Sequence, residues 1–390
     1  MTRLGDAADM LVGFAFKSAG FLGADADGVP LLRGDNVQQG YIRWGDKTKK
    51  WPTAGFDEFE RYQLVVDDVI LAMDRPIVGD GLKMAWIKPE DLPCLLVQRV
   101  CRLRGKPNVA LTRFIRYVLA APGFSAHIHR ITTGANIPHI SGRDIAAYEF
   151  HLPDIGEQAG IAECLSAYDD LIATNQRRIA LLEDAARRLY REWFVHLRFP
   201  GHESVPVKDG LPQGWHRRTL GEVAPLNYGK SLKATDRAAG RFPVYGSSGI
   251  VGTHNSALVD AGAVVVGRKG NVGSLYFSHL PCFPIDTVYF IEPERVSFRL
   301  FLALHGLNFI SSDAAVPGLN RAYAHSLPLV LPDEAIGGMF EEAVAPLFEQ
   351  AQCLTEQNVE LAEVRDLLLP RLMSGKLDVS SIRLPEEATT

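Results

Sequence analysis

The stretch "IPHISGRDIAAYEFHLPD" at residues 137–154 occurs a second time, in a relaxed form, as "VPGLNRAYAHSLPLVLPD" at residues 316–333. The two copies align without a gap, 179 residues apart, so that Ile140 matches Leu319 and both copies end in Leu-Pro-Asp. We call each copy a connecting segment. Each directly precedes a long helical pattern and places an aspartate where it can cap that helix. The chain is therefore predicted to be an internal duplication.

Further matches extend the duplication towards the amino terminus. "RLGDAADMLVG" at residues 3–13 resembles "TLGEVAPLNYG" at residues 219–229, at an offset of 216. The offset falls from 216 here to 179 at the connecting segments, so the first copy is longer by their difference of 37 residues. The ends of the repeat are kept while its middle has changed in length, which is typical of a diverged duplication.

Each copy is predicted to form a mixed domain rich in β-structure. Runs such as "YQLVVDDVILAM", "GAVVVGRKG" and "DTVYFIEP" contain many β-branched and aromatic residues, and Gly and Pro separate them. One helix per copy is expected near "LTRFIRYVLAAPGF" and "SFRLFLALHGLNFI". In the stretch "SAHIHR", His127 and His129 alternate as they would on a strand.

A long helix is predicted after each connecting segment. Apolar positions recur with alternating four- and three-residue spacing over residues 161–193, and again over residues 340–361, as in a coiled-coil seam. We predict that the two helices pair antiparallel, with Asn175 and Asn358 setting their register. Pro346 is expected to kink the second helix or delay its start. The alternative is two unrelated amphipathic helices, each lying on its own domain.

The segment "HLRFPGHESVPVKDGLPQGW", rich in Pro, Gly and charge, is predicted to be a boundary between the two copies. The predicted organisation is a first domain at 1–154, a long helix at 155–197, a linker at 198–214, a second domain at 215–333, a second long helix at 334–376 and a C-terminal tail at 377–390.

The bulk composition is that of a globular protein of two or three domains. The chain has 390 residues, of which 47% are hydrophobic and 22% are charged. No window of 18 uncharged apolar residues occurs, so we expect no transmembrane helix and no membrane partner. The five cysteines are scattered and never spaced as CxxC, which favours a reducing cytoplasm over a disulfide framework or a zinc site.

Charge is distributed unevenly along the chain. The net charge is −5, yet residues 94–143 contain no Asp or Glu. Eight basic residues lie in this stretch: Arg99, Arg102, Arg104, Lys106, Arg113, Arg116, Arg130 and Arg143. Because phosphate binding needs local positive potential, the stretch is predicted to help bind nucleic acid. The alternative for any single arginine is that it covers a helix face.

One segment has the form of a catalytic motif. Ala224–Ser231, "APLNYGKS", fits a permissive Walker A pattern in which Lys230 and Ser231 would hold phosphate and magnesium. A P-loop should open a helix, however, and the residues that follow show no helical period. We find no other nucleotide-binding, hydrolase, methyltransferase or nuclease signature, and the histidine pair lacks further metal ligands.

Polar loops flanked by glycine remain, and their residue types are those that read DNA. Arg pairs with guanine and Asn or Gln with adenine, whereas Lys, Ser and backbone amides hold phosphates. The residues predicted to bind DNA are Lys17, Arg43, Arg75, Arg130, Asn136, Arg143, Lys230, Lys233, Ser247, Ser248, Arg268, Lys269, Asn271, Asn320, Arg321 and Tyr323.

The chain resembles the specificity subunit of type I restriction–modification systems over essentially its whole length. The resemblance rests on "IALLEDAARRLYREWFVHLRFPGHE" (179–203), "LPQGW" (211–215) followed by "TLGEVA" (219–224), "GRKGNVG" (267–273) and "RDLLLPRLMSGKLDVS" (365–380). It implies an α+β fold in which two mixed α/β target-recognition domains are separated by two long antiparallel helices that form a coiled coil.

The resemblance also implies a function. Each target-recognition domain would read one half of a split target in double-stranded DNA. Two methyltransferase subunits and the restriction (translocase) subunits would dock on this chain. It would carry no catalytic centre and no cofactor, and S-adenosylmethionine, ATP and Mg would bind to the partner subunits. A helical spacer of about 50 Å agrees with a target in two separated halves.

Two other classes of function stay open from the residues. The chain could be a coiled-coil adaptor whose β-rich units bind protein instead of DNA. It could also be a nucleotide-dependent enzyme that uses Ala224–Ser231, in which case Lys230→Ala would abolish ATP binding.

Overall fold

A computed structural model describes residues 1–79, 81–132, 138–309 and 318–379. Its backbone divides into two compact units. The first consists of Met1–Ala173 and Val359–Thr390, and the second of Thr174–Asn358. Each long helix is therefore divided, with one part in the first unit and the other part in the second.

The helices that begin in the first unit are α1 (Leu4–Ala7), α2 (Thr112–Ala120), α3 (Pro122–Thr132), α4 (Gly142–Ala146) and α5 (Ile155–Tyr190). Its strands are β1 (Thr2–Arg3), β2 (Ala8–Val12), β3 (Val29–Leu32), β4 (Lys50–Trp51), β5 (Val69–Ala72), β6 (Ile77–Val78), β7 (Gly81–Leu82), β8 (Met84–Trp86), β9 (Leu95–Leu96), β10 (Val100–Gly105) and β11 (Glu149–Phe150). The main sheet is antiparallel, in the order β2-β10-β5-β8. A second sheet has the order β4-β3-β9, with β3 and β9 parallel, and β1 pairs with β11.

The helices that begin in the second unit are α6 (Leu220–Val223), α7 (Phe298–Leu304), α8 (Arg321–Ser326) and α9 (Glu334–Met373). Its strands are β12 (Val207–Lys208), β13 (Leu211–Pro212), β14 (His216–Thr219), β15 (Asn227–Tyr228), β16 (Phe242–Gly246), β17 (Gly249–His254), β18 (Ala263–Gly267), β19 (Leu275–Ser278), β20 (Phe283–Pro284), β21 (Val288–Ile291) and β22 (Pro328–Leu331). The four-stranded sheet has the order β15-β21-β18-β19, the three-stranded sheet has the order β17-β16-β20, and β14 pairs with β22.

The two units have the same strand order, so the sequence repeat is also a structural repeat. In both units, a four-stranded antiparallel sheet lies with a three-stranded sheet that contains one parallel pair. The terminal strand pair joins the start of the unit to its connecting segment, since β11 and β22 lie inside those segments. The predicted helices near residues 111–124 and 297–310 correspond to α2 and α7.

An uninterrupted apolar strand at the centre of each unit separates two cores. In β5, Val69 and Leu71 pack in the core that contains α2, while Ile70 and Ala72 pack on the opposite face. In β18, alternate residues likewise belong to two different cores. Successive side chains of a strand point to opposite faces, so a strand covered on both sides has no polar position.

The strand-like interpretation of "SAHIHR" is wrong, because these residues belong to the helix α3. Phe124 and Ile128 are both fully buried and lie four residues apart, on one helical face. The ring of His127 contacts the backbone carbonyl of Asp144 at 2.9 Å. The two histidines at alternate positions suggested a strand, but the four-residue spacing of the buried Phe124 and Ile128 is that of a helix.

Both long helices begin directly after the Leu-Pro-Asp sequence of a connecting segment. Asp154 Oδ1 accepts a hydrogen bond from the third N–H of α5 at 2.9 Å, and Asp333 Oδ1 does the same for α9 at 2.9 Å. The prediction that Pro346 delays the second helix is wrong, because α9 begins twelve residues earlier, at Glu334. A π-helical turn at Arg191–Val195 follows α5.

Within each unit, the part of α5 that belongs to it contacts the part of α9 that belongs to it. In the first unit, Asp169 Oδ1 accepts a hydrogen bond from Arg365 Nη1 at 2.6 Å. In the second unit, Asn175 Nδ2 donates to Asn358 Oδ1 at 3.0 Å. Further along the second unit, the rings of Trp193 and Phe340 lie 5.4 Å apart. That the asparagine pair sets the register stays a prediction.

Candidate nucleic-acid interface

One end of the four-stranded sheet in the second unit gathers basic and polar residues from separate segments of the chain. Residues 284–288, which lead into β21, accept the hydrogen bonds that join them. The backbone N–H of Lys230 donates to this segment at 3.0 Å, and those of Arg268 and Lys269 donate to it at 2.9 and 3.1 Å. Leu319 N donates to the Arg268 carbonyl at 2.8 Å, which brings the start of α8 to the same place.

Two guanidinium groups lie over one tyrosine ring at this end of the sheet. Cζ of Arg268 is 5.0 Å from the ring centroid of Tyr228, and Cζ of Arg321 is 4.9 Å from it. Arg268 Nη1 also donates to the Asp286 carbonyl at 3.0 Å, and its Cζ lies 5.6 Å from the ring of Tyr289. Across the described part of the chain, no carboxylate forms an ion pair with either arginine. Two positive charges are therefore concentrated around a ring that is 50% exposed.

The turn between β16 and β17 lies against the same loop. Asn271 Nδ2 donates to Ser248 Oγ at 3.3 Å, and Ser274 Oγ donates to the Ser247 carbonyl at 2.7 Å. Asn271 and Ser248 are exposed. An exposed amide and hydroxyl thus flank the arginines, and these are the groups that pair with base edges and phosphates.

The other predicted residues of the second unit have internal partners or lie further along the chain. Asn320 caps α8, since its Oδ1 accepts from Tyr323 N at 3.1 Å. The hydroxyl of Tyr323 donates to the Asn308 carbonyl at 3.0 Å. Lys233 is exposed at the start of a 3-10 turn. We call the following set the second-unit corner: Tyr228, Lys230, Arg268, Lys269, Asn271 and Arg321.

Sequence reasoning missed Tyr228, although it lies inside the segment quoted as a Walker-like motif. Its signal is an aromatic residue at the exposed end of a short strand, next to Gly and Lys. The Walker interpretation itself fails on geometry, because Ser231 and the residues after it form no α-helix and the next element is the 3-10 turn Ala234–Asp236. A phosphate-binding helix N-terminus is therefore missing from the described loop.

The glycine before Lys230 has a structural role that it shares with its counterpart in the first unit. A Cβ atom on Gly229 would lie 2.0 Å from the carbonyl oxygen of Ile285. A Cβ atom on Gly13 would lie 2.3 Å from the carbonyl oxygen of Val97. At both places, only glycine lets the end of the edge strand approach the second sheet this closely. The matched glycines of the repeat are thus explained by packing.

Backbone hydrogen bonds identify the positions of the first unit that correspond to the second-unit corner. The carbonyl of Met73 accepts from Ile140 N at 2.9 Å, as the carbonyl of Arg268 accepts from Leu319 N. The next residue in each unit, Asp74 or Lys269, bridges to the connecting segment. The residues just before Gly13 and Gly229 also correspond to each other. So do the first residues of α4 and α8, which follow the N-caps of these helices.

This gives four pairs of corresponding positions: Val12 with Tyr228, Met73 with Arg268, Asp74 with Lys269, and Gly142 with Arg321. The position just after the shared glycine adds Phe14, where the second unit has Lys230. In the first unit, four of these five positions are apolar or glycine, and the fifth is acidic. In the second unit, four of the five are basic, and the fifth is Tyr228. The first unit therefore offers a different surface at the same end of its sheet.

The polar groups at this end of the first unit surround Asp74. Its two carboxylate oxygens lie 2.5 Å from His139 Nδ1 and 2.6 Å from Arg99 Nη1. Burial raises the pKa of Asp74, but hydrogen bonds from His139 and Arg99 outweigh it and hold the pKa below its ordinary value. Arg75 follows with a left-handed backbone, φ 45°, and is exposed.

A second group of cations lies nearby in the first unit. Lys83 Nζ donates to the Gly34 carbonyl. Burial lowers the pKa of Lys83 below its ordinary value; Asp35 opposes this, while the charges of Arg43 and Arg75 reinforce it. Arg43 and Arg75, both predicted from sequence, are thus close enough to Lys83 to interact electrostatically. Lys83 was not predicted.

The remaining predicted residues of the first unit lie on separate elements. Lys17 precedes a 3-10 turn, Arg130 lies in the last turn of α3 and Arg143 lies in α4, and all three are exposed. Asn136 falls outside the described residues.

The positive potential expected from the acid-free stretch is reduced at most of its arginines, because aspartates from other segments form ion pairs with them. The ion pairs are Arg99 with Asp74, Arg102 with Asp9, Arg104 with Asp68, Arg113 with Asp67, and Arg116 with Asp169. Strand β10 carries two of these arginines between β2 and β5, and the aspartates lie on or beside those neighbours. A stretch of sequence without acidic residues can thus be surrounded by acidic residues in the folded structure.

The described residues contain no group of three His, Cys, Asp or Glu side chains arranged to hold a metal ion. None of their helices is long and apolar enough to cross a membrane. All five cysteines are free, and four of them are buried.

The fold and the family of the chain follow from its likeness to known proteins. The S subunit of a type I restriction–modification system from M. genitalium has a similar fold, with a TM-score of 0.56, 18% identity and 95% of each chain covered. The family model described as the type I restriction modification DNA specificity domain matches residues 15–184 and 212–334. Because the match covers most of the chain and both units, the chain belongs to this family.

Two curated relatives carry related descriptions. The specificity subunit of the type I restriction enzyme EcoAI from Escherichia coli is 36% identical over 174 residues, which is 44% of this chain and 28% of that protein. The specificity subunit of the type I restriction enzyme MjaVIII from Methanocaldococcus jannaschii is 28% identical over 189 residues, 48% of this chain and 44% of that protein. The alignments thus span less than half the length of these relatives.

Proposed function

We propose that this chain is the sequence-specific DNA-recognition subunit of a type I restriction–modification enzyme. One observation supports this above the others: a single sheet framework occurs twice, and the same five positions at its end carry different side chains in the two copies. Recognition of two different half-sites needs this combination of a kept framework and a changed surface. Membership of the DNA specificity family agrees with it.

The target is proposed to be bipartite and asymmetric. One half-site is read by each recognition unit, and α5 and α9 pair as an antiparallel coiled coil that sets the spacing between them. These helices contain 36 and 40 residues. At about 1.5 Å per residue they would be roughly 50–60 Å long, which corresponds to between one and two turns of DNA. The Asn175–Asn358 hydrogen bond would fix the register of the pair.

The chain is proposed to act without a catalytic centre of its own, in the cytoplasm. Two methyltransferase subunits and the restriction subunits would dock on it, and S-adenosylmethionine, ATP and Mg would bind to those partners. The proposal is supported by the family and by the failure of the Walker-like segment to form a P-loop in the described structure.

The decisive experiment measures which adenines become methylated. The methyltransferase subunits proposed to bind this chain are expressed with and without it in a host that lacks methylation of its own, and the genome is sequenced for methylated adenine. We expect methylation only when this chain is present, at a bipartite motif with two different halves. A chain that binds protein in place of DNA would leave the pattern unchanged.

Binding of the purified complex to a duplex that carries the motif provides a second test. Because the corner lysines, Lys230 and Lys269, would replace counterions on phosphates, the logarithm of the binding constant should fall steeply with the logarithm of the salt concentration. A flat salt response would contradict phosphate contact by these residues.

A further inference from the structure

We propose that Arg321 reads a guanine in the half-site of the second unit, and that Tyr228 and Arg268 are positioning residues that hold it. This inference rests on the proposed function, and it deepens that function by naming one base and the group that recognises it. It starts from the stack of two guanidinium groups over the Tyr228 ring.

Arg321 is the free member of the stack. It is exposed at the first position of α8, its Cζ lies 4.9 Å from the Tyr228 centroid, and no carboxylate pairs with it among the described residues. Its five N–H donors form a planar fork, and that fork matches the O6 and N7 acceptors of guanine. Arginine–guanine pairing is the commonest base-specific contact that side chains make in the major groove.

Arg268 and Tyr228 form the support. Arg268 is half-buried and tied to the Asp286 carbonyl, with its guanidinium over both Tyr228 and Tyr289. The two tyrosine rings meet edge to face at 5.0 Å. A ring held in this way restricts the rotamers of Arg321, so less conformational entropy is lost when its fork binds a base.

A comparison within the molecule favours a base over a phosphate as the ligand of Arg321. A base contact has to differ between two units that read different half-sites, whereas a phosphate contact carries no sequence information and need not differ. The first unit has Gly142 where the second has Arg321, and Val12 where the second has Tyr228. Gly142 and Val12 also face each other, since a Cβ atom on Gly142 would lie 3.8 Å from Val12 Cγ2. The framework is kept, but the arginine and its platform exist in one unit only.

The test sequences methylated adenines for the complete methyltransferase complex that carries substitutions in this chain. Arg321→Gln and Arg321→Lys should each relax one guanine of one half-site to any base and leave the other half-site unchanged. From the usual worth of a bidentate pair, the preference for guanine should fall about 5- to 150-fold. Tyr228→Leu should relax the same position, whereas Tyr228→Phe, which keeps the ring, should retain the preference.

A matched control is available in the same unit. Arg241 is also exposed, and its guanidinium also lies over an aromatic ring, 5.0 Å from the centroid of Phe242, at the opposite end of β16 from the corner. Arg241→Gln should leave both half-sites as they are. Because Arg321 is exposed, its variants still decide the question if Tyr228→Leu fails to fold.

The possible results separate this inference from the proposed function. A motif that is unchanged in both Arg321 variants would overturn it, as would a wild-type motif with no guanine on either strand of the altered half-site. Methylation that Arg321→Gln lowers at all sites and Arg321→Lys restores would indicate a phosphate contact and would also overturn it. If the wild-type complex shows no bipartite motif, the proposed function itself is wrong.

Discussion

The two units have the same backbone framework and opposite chemistry at one end of it. In the second unit, the guanidinium groups of two arginines lie over the ring of Tyr228. Lys230 and Lys269 follow two residues after the ends of β15 and β18. In the first unit, Val12 and Gly142 occupy the corresponding positions, and Asp74 is the charged residue. The framework positions are determined by close packing, as at the shared glycines, whereas five of the six residues of the second-unit corner are exposed and Arg268 is half-buried. The side chains of the proposed recognition surface can therefore change while the backbone framework stays the same.

The units also differ in how the helix on their sheet is attached to a long helix. In the first unit, the Asp169 carboxylate accepts hydrogen bonds from Arg116 of α2, from Tyr117 at 2.8 Å and from Arg365 at 2.6 Å. In the second unit, the rings of Phe298 and Phe348 stack in parallel at 4.3 Å. A buried ionic cluster in one unit corresponds to an aromatic stack in the other.

The largest effect is expected when the ionic cluster loses its anion. Asp169→Ala would leave Arg116, 8% exposed, and Arg365 with no carboxylate in the cluster. Removing one partner from a buried ion pair costs about 3–5 kcal/mol of unfolding free energy. Hydrogen exchange followed peptide by peptide should show lost protection in the first unit, with the second unit unchanged.

Asp170→Ala is the matched control for this comparison, because Asp170 is the exposed neighbour of the buried aspartate. It should change the free energy of unfolding by less than about 0.5 kcal/mol. If Asp169→Ala loses no more than this control, the cluster is not the attachment of the first unit.

The shared framework is tested by the same substitution in both units. Gly13→Ala and Gly229→Ala each force a Cβ atom to within 2.3 or 2.0 Å of a backbone carbonyl oxygen. Each should cost about 3 kcal/mol, near the upper end for overpacking, because a backbone atom cannot rotate away. Denaturant unfolding measures the loss, and strongly unequal losses would break the structural equivalence of the two sites.

An increase in stability is expected where a glycine has free space around it. Gly338 lies in α9, and a Cβ atom added there would meet nothing within 4 Å. Gly338→Ala should stabilise the protein by about 0.5–1 kcal/mol, since alanine loses less conformational entropy in a helix.

The difference in recognition is tested by reciprocal variants. Arg268→Ala removes the support of Arg321, so it should weaken binding to the half-site of the second unit by up to about 1–3 kcal/mol, the usual contribution of the bidentate arginine–guanine pair that it positions. Arg75→Ala should weaken binding to the other half-site. Competition between duplexes with one or the other half-site scrambled measures each effect separately. Equal loss at both half-sites from either variant would contradict independent recognition units.

The smallest effect concerns pH. The pKa of Asp74 lies below its ordinary value because the hydrogen bonds from His139 and Arg99 outweigh the effect of burial. Asp74 therefore contributes stability above the ordinary pKa of an aspartate, and this contribution is lost as the pH falls through the lower, folded pKa. With a partly exposed carboxylate, the difference should stay below about 1 kcal/mol. Asp74→Asn should flatten the acid dependence of the first unit; an unchanged pH profile would contradict this assignment.

Much of the fold could be predicted from the sequence because its signals are local or repeated. The two Leu-Pro-Asp segments placed the starts of α5 and α9, and the aspartate caps follow from short-range hydrogen bonding. Apolar runs such as β18 indicated central strands. The strand prediction for "SAHIHR" failed because two histidines at alternate positions resemble a strand pattern. The prediction of a start delayed by Pro346 failed because α9 already begins at Glu334, after the Asp333 cap.

The candidate site could be predicted only in part. Arg268, Asn271 and Arg321 were named from residue type, and the structure brings them to one end of a sheet. Tyr228 and Lys83 were missed, because their significance comes from residues distant along the chain. The same cause misled the interpretation of the arginines in residues 94–143, most of which pair with aspartates from other segments.

By itself, the sequence determined that this protein is a duplication of one β-rich unit, each copy closed by a connecting segment and followed by a long helix. Repeats and periodic patterns can be recognised in the sequence alone, because each depends on residues a few positions apart or on a fixed offset. Only the tertiary structure decided which charges are neutralised and which lie free, since an ion pair such as Arg116–Asp169 joins residues far apart in the chain. It also decided that Arg268 and Arg321 share the ring of Tyr228, because antiparallel pairing of β15, β21 and β18 is what brings those strand ends together.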